Sequence, residues 1–217
     1  MDWNLNMTHM DNASLAVIII IVLIVIVWFV VTYSRTFKHD SSKLQQMLRD
    51  FDRIRNGNSY LARSTIIEAM SGYQGADTTE QRWQQNNHEL ARIYSEISGN
   101  EAGKKYYELL NREKKLTLDM ASSAHKGLNT NGAKQKIQQL IDDTIEIVRQ
   151  DCPSVSASEL RDQLTKSFDK LSHYANYLAK KDYGSSITQF TEYLHENDKV
   201  GDILEQGLQH AAAPSMA

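Results

Sequence analysis

The chain is poor in the residues and patterns on which most small-domain chemistry is built. It has one cysteine, Cys152, in 217 residues. No intramolecular disulfide can form, which suits a reducing compartment. Proline occurs only at Pro153 and Pro214, and aromatic residues make up 8%. There is no Gly-x-Gly-x-x-Gly, Walker or Gly-x-Ser-x-Gly pattern, so phosphate-cradling loops and a nucleophile elbow are missing. The formal net charge is -3. That removes the broad positive field on which a nucleic-acid binder relies. No repeat or low-complexity tract occurs beyond one apolar run.

That run reads "SLAVIIIIVLIVIVWFVVTYSRTFK" over 14–38 and is uncharged from Leu15 to Tyr33. At about 1.5 Å per residue, a helix over 15–33 reaches roughly 28 Å, close to the hydrocarbon thickness of a bilayer. A buried core helix is shorter or carries polar positions. A signal peptide needs a cationic start and a small-x-small cleavage site. Here "MDWNLNMTHMDNAS" has no Lys or Arg, and "VVTYSRTF" offers no Ala-x-Ala. The pattern predicts a retained single transmembrane helix over 15–33, with Trp28 and Tyr33 toward its C-terminal end. The run holds no ionisable residue, which argues against a pore, proton relay or transporter.

Flanking charge predicts the orientation. Asp2 and Asp11 precede the run, and Arg35, Lys38, Lys43, Arg49 and Arg53 follow it. The positive-inside rule then puts the N-terminus outside and the large C-terminal domain in the cytoplasm. Arg35, Lys38 and Lys43 are placed to meet anionic headgroups. Two glycosylation sequons, at Asn6 and Asn12, fall in the outer tail. The lipid bilayer is thus an expected partner of a single-pass membrane protein. The predicted organisation is a short tail over 1–14, a transmembrane helix over 15–33, a basic juxtamembrane segment over 34–43, a helical bundle over 44–208 and a flexible tail over 209–217.

From Asp40 onward apolar residues recur at helical spacing, with no strand alternation. One face carries Leu44, Met47, Leu48, Phe51 and Ile54, resuming at Leu61, Ile66, Ile67 and Met70 after a predicted interruption at "RNGNS". Later faces carry Trp83, Leu90, Tyr94 and Ile97, then Tyr106, Leu109, Leu110, Leu116 and Met120. Further on come Ile137, Leu140, Ile141 and Val148, then Leu160, Leu164, Phe168 and Leu171. The last face carries Ile187, Phe190, Leu194, Leu204 and Leu208. Ser156-x-x-Glu159 is a capping box, and Gly99, Gly127 and "KKDYGSS" mark stops. Short connections imply antiparallel neighbours. The fold class is all-α: the transmembrane helix followed by an antiparallel bundle of about five or six helices.

Three stretches carry a resemblance: "QRWQQNNHELARIYSEISGNEAGKKYYELL" over 81–110, "DMASSAHKG" over 119–127 and "KKDYGSSITQFTEYLHENDKVGDILEQGL" over 180–208. Together they resemble a family of small, uncharacterised all-helical proteins of spore-forming bacteria and large DNA viruses. The matching features are Arg82 with Asn86, the Gly99 break, the small-residue run to Gly127, Asp182-Tyr183 and Gly207-Leu208. The likeness spans roughly 58–208. It implies a helical bundle and, for the anchored chain, the membrane of a virus particle or of its host, with the bundle facing a capsid or core. Family members carry histidine in the first helix and early in two later ones. The corresponding stretches here, "NSYLARS", "LNREKKL" and "LTKSFDKL", have none, which argues against any activity tied to those histidines.

Glu192 and His195 form a Glu-x-x-His that puts both on one helix face, as in di-iron bundles. No second such motif exists, so they are the only metal candidates and a solvated face is the simpler reading. "HELARIY" lacks the second histidine of a zinc-protease helix. Cys152, beside Asp151 and before Pro153, has nothing to activate it. Glu68, Glu108, Glu113 and Glu146 are candidates for the bundle interior, although charges on amphipathic helices ordinarily face water. Tyr94, Tyr106, Tyr107, Tyr174, Tyr177, Tyr183 and Tyr193 fit either a core or a partner-binding surface. The expected function is a non-enzymatic, membrane-anchored bundle acting as a tether, docking or structural protein. It would have no cofactor, no nucleic acid, no evident small-molecule substrate and an unknown protein partner. The alternative is a ligand- or metal-binding, sensor-like bundle, recognisable by polar side chains converging in its interior.

Overall fold

A computed structural model describes residues 12–71, 76–127 and 131–212, with the backbone alone at 12–21, 23–24, 29–41, 76–77 and 131–132. Among them are six helices: α1 (Asn12–Ser71), α2 (Ala76–Ser98), α3 (Asn100–His125), α4 (Asn131–Asp151), α5 (Ala157–Ala179) and α6 (Tyr183–Ala212). The chain divides into two compact units, Met1–Lys43 and Leu44–Ala217, whose boundary falls within α1.

In the first unit the described side chains of the apolar run are Val22, Val25, Ile26, Val27 and Trp28, all exposed. Among the described residues no helix is long and apolar enough to cross a membrane. A span needs about 20 consecutive apolar residues, and these described positions fall well short. The finding overturns the transmembrane helix expected over 15–33. With it go the membrane anchor, the lipid bilayer as partner, the outside-to-cytoplasm topology and the viral or host membrane placement. The side chains of Tyr33, Arg35, Lys38 and Asn12, and the whole of Asn6, lie outside the described residues. Lys43 is exposed.

The second unit is an all-helical bundle. α2 packs on α3 and α6, α3 on α4 and α5, α4 on α5, and α5 on α6. Local sequence sets the ends of these helices. Ser156 is extended at φ -71° and ψ 116° and accepts a hydrogen bond from the Glu159 N–H at 3.4 Å, capping α5. Gly99 at φ 95° turns α2 into α3 in a single residue, and Gly127 at φ 62° follows the end of α3. The interruption predicted at "RNGNS" does not occur, and α1 is helical through Gly57. Glycine costs a helix about 1 kcal/mol. Here Arg55 and Ser59, on either side of it, are buried and bonded to α6, which offsets that cost. α6 runs to Ala212, a buried residue, past the point at 208 where the sequence pattern ended the bundle.

Two apolar clusters form the core. One gathers Leu48, Phe51, Leu90, Tyr94, Tyr106, Leu140, Leu160, Val200 and Leu204. The other gathers Ala62, Ile66, Trp83, Met120, Leu171, Tyr174, Phe190 and Tyr193. Each fully buried large apolar side chain contributes roughly 1.5–3 kcal/mol. Two inward assignments fail: Ile67 is 38% exposed and Ile187 is 63% exposed.

Candidate functional site

Between the two apolar clusters the same helices turn polar. On α1, Phe51 and Ala62 bracket Arg55, Asn58 and Ser59. On α2, Asn87 lies between Trp83 and Leu90. On α3, Glu113 and Thr117 lie between Leu110 and Met120. On α5, Ser167 precedes Leu171, and on α6 Asn197 lies between Tyr193 and Val200. Arg55, Ser59, Asn87, Thr117, Ser167 and Asn197 are all buried. Burial of polar groups is tolerated only when they find hydrogen bonds.

Most of them do. Arg55 donates from Nη1 to the Asn197 carbonyl and from Nη2 to Asn197 Oδ1, both at 2.6 Å. Asn197 Nδ2 donates to Ser59 Oγ at 2.6 Å. A chain of amides ties α2, α1 and α3 together. Asn86 donates to Asn58 and Asn58 to Asn87, each at 2.9 Å, and Asn87 donates to Asn111 at 3.3 Å. A cavity of about 50 Å³ opens into this layer, with Arg55, Ser59, Tyr106, Glu113, Ser167 and Asn197 among its lining residues. Burial raises the Glu113 carboxyl above its ordinary range, with the Arg55 charge opposing. Burial likewise raises the Tyr106 and Tyr193 phenols.

A second feature lies on the surface of α1 and α6. Arg55 meets Asn197, whereas Tyr60 lies against Phe190 with ring centroids 6.1 Å apart. Rising numbers on α1 therefore meet falling numbers on α6, and the two helices are antiparallel. Arg63 sits over the Phe190 ring, 5.2 Å from its centroid. Tyr60, Ile67, Tyr183 and Ile187 are the exposed large apolar residues described in the bundle unit, and all belong to this helix pair. Seven residues separate Tyr60 from Ile67, and seven separate Tyr183 from Phe190, so the two rows run side by side for about 10 Å.

The metal candidates do not form a site. Glu192 accepts hydrogen bonds from Lys170 and Gln189, and Lys170 holds its carboxyl below the usual range. His195 is exposed. Among the described residues no group of three His, Cys, Asp or Glu could hold a metal ion. Cys152 is buried and free, and burial pushes its thiol up to about 11. Tyr94, beside it, stacks on Tyr106 at 4.4 Å and donates to Asp151 at 3.1 Å. Of the four candidate interior carboxylates, Glu113 lines the cavity, while Glu108 and Glu146 are exposed. Glu68 accepts from Thr79 at 2.6 Å. Tyr94, Tyr106, Tyr174 and Tyr193 belong to the core, Tyr107 and Tyr177 are half-buried, and Tyr183 is 60% exposed.

Sequence reasoning passed over Arg55, Ser59, Asn87, Ser167 and Asn197. The signal was present as polar residues at helical spacing inside an otherwise apolar face, such as Arg55 and Ser59 between Phe51 and Ala62. No protein-family model matches the chain, and neither a curated protein nor a solved structure matches it. The family resemblance therefore rests on its own residues.

Proposed function

We propose that the protein is a non-enzymatic helical bundle that docks a protein partner on the face made by α1 and α6. The observation that carries this reading is the gathering of Tyr60, Ile67, Tyr183 and Ile187 on two packed, antiparallel helices. Single exposed apolar residues are ordinary, but four of them on one helix pair, two being tyrosine, are typical of an interface. The flanking charges select the partner. Arg63 lies within the strip, and just before Tyr183 the exposed Lys180 and Lys181 outnumber the exposed Asp182. The surface suits an apolar segment edged with acidic residues, because charge complementarity steers encounter and disfavours basic partners.

A photo-crosslinking amino acid placed at Tyr183, and in a second protein at Ile67, tests this against a control at exposed Lys166 on α5. A discrete protein adduct is expected from the first two positions and not from the control. Equal labelling from all three, or none from the strip, would remove the docking reading.

A further inference from the structure

A cavity of about 170 Å³ lies between α1, α2 and α3 and shares no lining residue with the one around Arg55. Thr65, Glu68 and Ala69 come to it from α1, Glu80 and Trp83 from α2, and Lys114 and Leu118 from α3. Spacings of three and four residues put each set on one side of its helix. Trp83, 2% exposed, Leu118 and Ala69 give it an apolar wall. Thr65 and Ala69 are short, so α1 leaves open the space that a longer side chain would fill. Three charged groups line the cavity. Lys114, its side chain 13% exposed, is paired with Glu80 at 2.9 Å. The Glu68 carboxylate accepts from the Thr79 hydroxyl at 2.6 Å and, among the described residues, forms no ion pair. Two carboxylates and one ammonium leave the cavity with one negative charge in excess, and that excess sits beside an apolar wall.

We propose that this cavity binds a small organic ammonium ion, its apolar body against Trp83, Leu118 and Ala69 and its charged nitrogen against the Glu68 carboxylate. Charge and size select this class. An anion would add to the negative excess, and a neutral molecule would leave Glu68 without a counter-charge. A metal ion needs several oxygen or nitrogen ligands, and among the described residues no group of three His, Cys, Asp or Glu could hold one. An aromatic wall such as Trp83 also favours a cation over a neutral molecule of the same shape. A cavity of about 150 Å³ holds one benzene, so about 170 Å³ takes a single ring or a branched alkyl group. The site is independent of the α1–α6 docking face.

The test is isothermal titration calorimetry of the full chain at neutral pH and constant ionic strength. The probes are benzylammonium and isobutylammonium chloride, with benzyl alcohol as the neutral isostere and sodium benzoate as the anion. Saturable binding of at least one ammonium is expected. Benzyl alcohol and benzoate should bind at least ~10-fold more weakly than benzylammonium, the loss that a missing charge-assisted hydrogen bond brings. Glu68→Gln keeps an acceptor for Thr79 and removes the charge, and it should bring benzylammonium down to the affinity of benzyl alcohol. Ala69→Leu, which fills the cavity, should abolish binding of every probe and serves if Glu68→Gln does not fold. No saturable binding of either ammonium, equal affinity for benzylammonium and benzyl alcohol, or binding that Ala69→Leu leaves unchanged overturns the proposal.

Discussion

Arg55 and Asn197 lie 142 positions apart in the chain and are joined by two hydrogen bonds of 2.6 Å. The contact is possible because α6 has a glycine one turn further on. A Cβ at Gly201 would sit 2.7 Å from Arg55 Nη1. The pair also fixes the register of α1 against α6. A slide of one helical turn would bring Tyr193 or Gly201 to Arg55, and neither has a side-chain carbonyl to offer. Buried polar groups are best attested as devices for specifying register.

Asn197→Leu should therefore destabilise the bundle by about 2–4 kcal/mol, because it removes the side-chain oxygen that accepts from Arg55 Nη2 and the amide that donates to Ser59, and leaves only the backbone carbonyl for the buried guanidinium. Arg55→Met should cost about as much. The double variant should be markedly less destabilised than the sum, since an apolar pair replaces a polar one. Urea denaturation of all four proteins gives the coupling. Strict additivity would show that the pair does not act as a unit.

Gly103 marks a close approach of α3 to α2. A Cβ there would lie 1.7 Å from Ser95 Oγ and 2.8 Å from the Ala91 carbonyl oxygen. The serine can rotate away, but the carbonyl belongs to the backbone of α2 and cannot. Gly103→Ala should thus lower stability by about 1–3 kcal/mol despite alanine's better helix propensity. Gly99→Ala is a separate case, limited by its positive φ and not by space. A Gly103→Ala protein as stable as the parent in urea would contradict this packing.

Lys181 has φ 60°, the only positive φ at a non-glycine position among the described residues. It ends α5 in a Schellman arrangement. The Asp182 N–H bonds to the Tyr177 carbonyl, and the Lys181 N–H bonds to that of Leu178, both at 3.0 Å. A side chain in the left-handed region costs about 1–2 kcal/mol, a penalty that glycine escapes. Lys181→Gly should raise stability by about 1 kcal/mol, seen as a higher urea midpoint with an unchanged slope. An unchanged or lower midpoint would mean that the lysine side chain holds compensating contacts.

The same turn illustrates what a sequence conceals. "KKDYGSS" advertises a helix stop without saying which of its residues turns the chain. The left-handed residue is Lys181, because three residues are enough to reverse the chain when α5 and α6 pack closely. Helix existence and most core positions were legible because 3.6-residue periodicity records burial directly: Trp83, Leu90, Tyr94, Leu160 and Leu204 are all buried as that pattern indicates. Ile187 escapes the pattern because an exposed apolar strip has the same periodicity as a core face. Arg55 and Asn197 were invisible for the opposite reason. Periodicity reads a polar residue as wet, and only their meeting across the bundle makes them interior. The transmembrane expectation over 15–33 rests on length and flanking charge. Those features carry no information on how the first unit is built.

Glu113 gives the bundle a pH dependence whose sign follows from its surroundings. Burial raises its carboxyl above the ordinary 4.5, and Arg55 works against that rise. The unfolded chain releases this proton at the ordinary value, while the folded chain keeps it to higher pH. Below 4.5 both states are protonated and the contribution of the neutral carboxyl to stability is fully present. As pH rises through the window above 4.5 the unfolded state ionises first, so stability falls until the folded state ionises as well. Glu113→Gln keeps the neutral shape and removes the titration. It should match the parent at pH 4 and exceed it by about 1 kcal/mol at pH 7, which for a chain of this size moves the thermal midpoint by roughly 2–4 °C. Urea titrations at the two pH values check this. A variant less stable than the parent at pH 7 would mean that Glu113 is ionised in the fold and neutralises Arg55 itself.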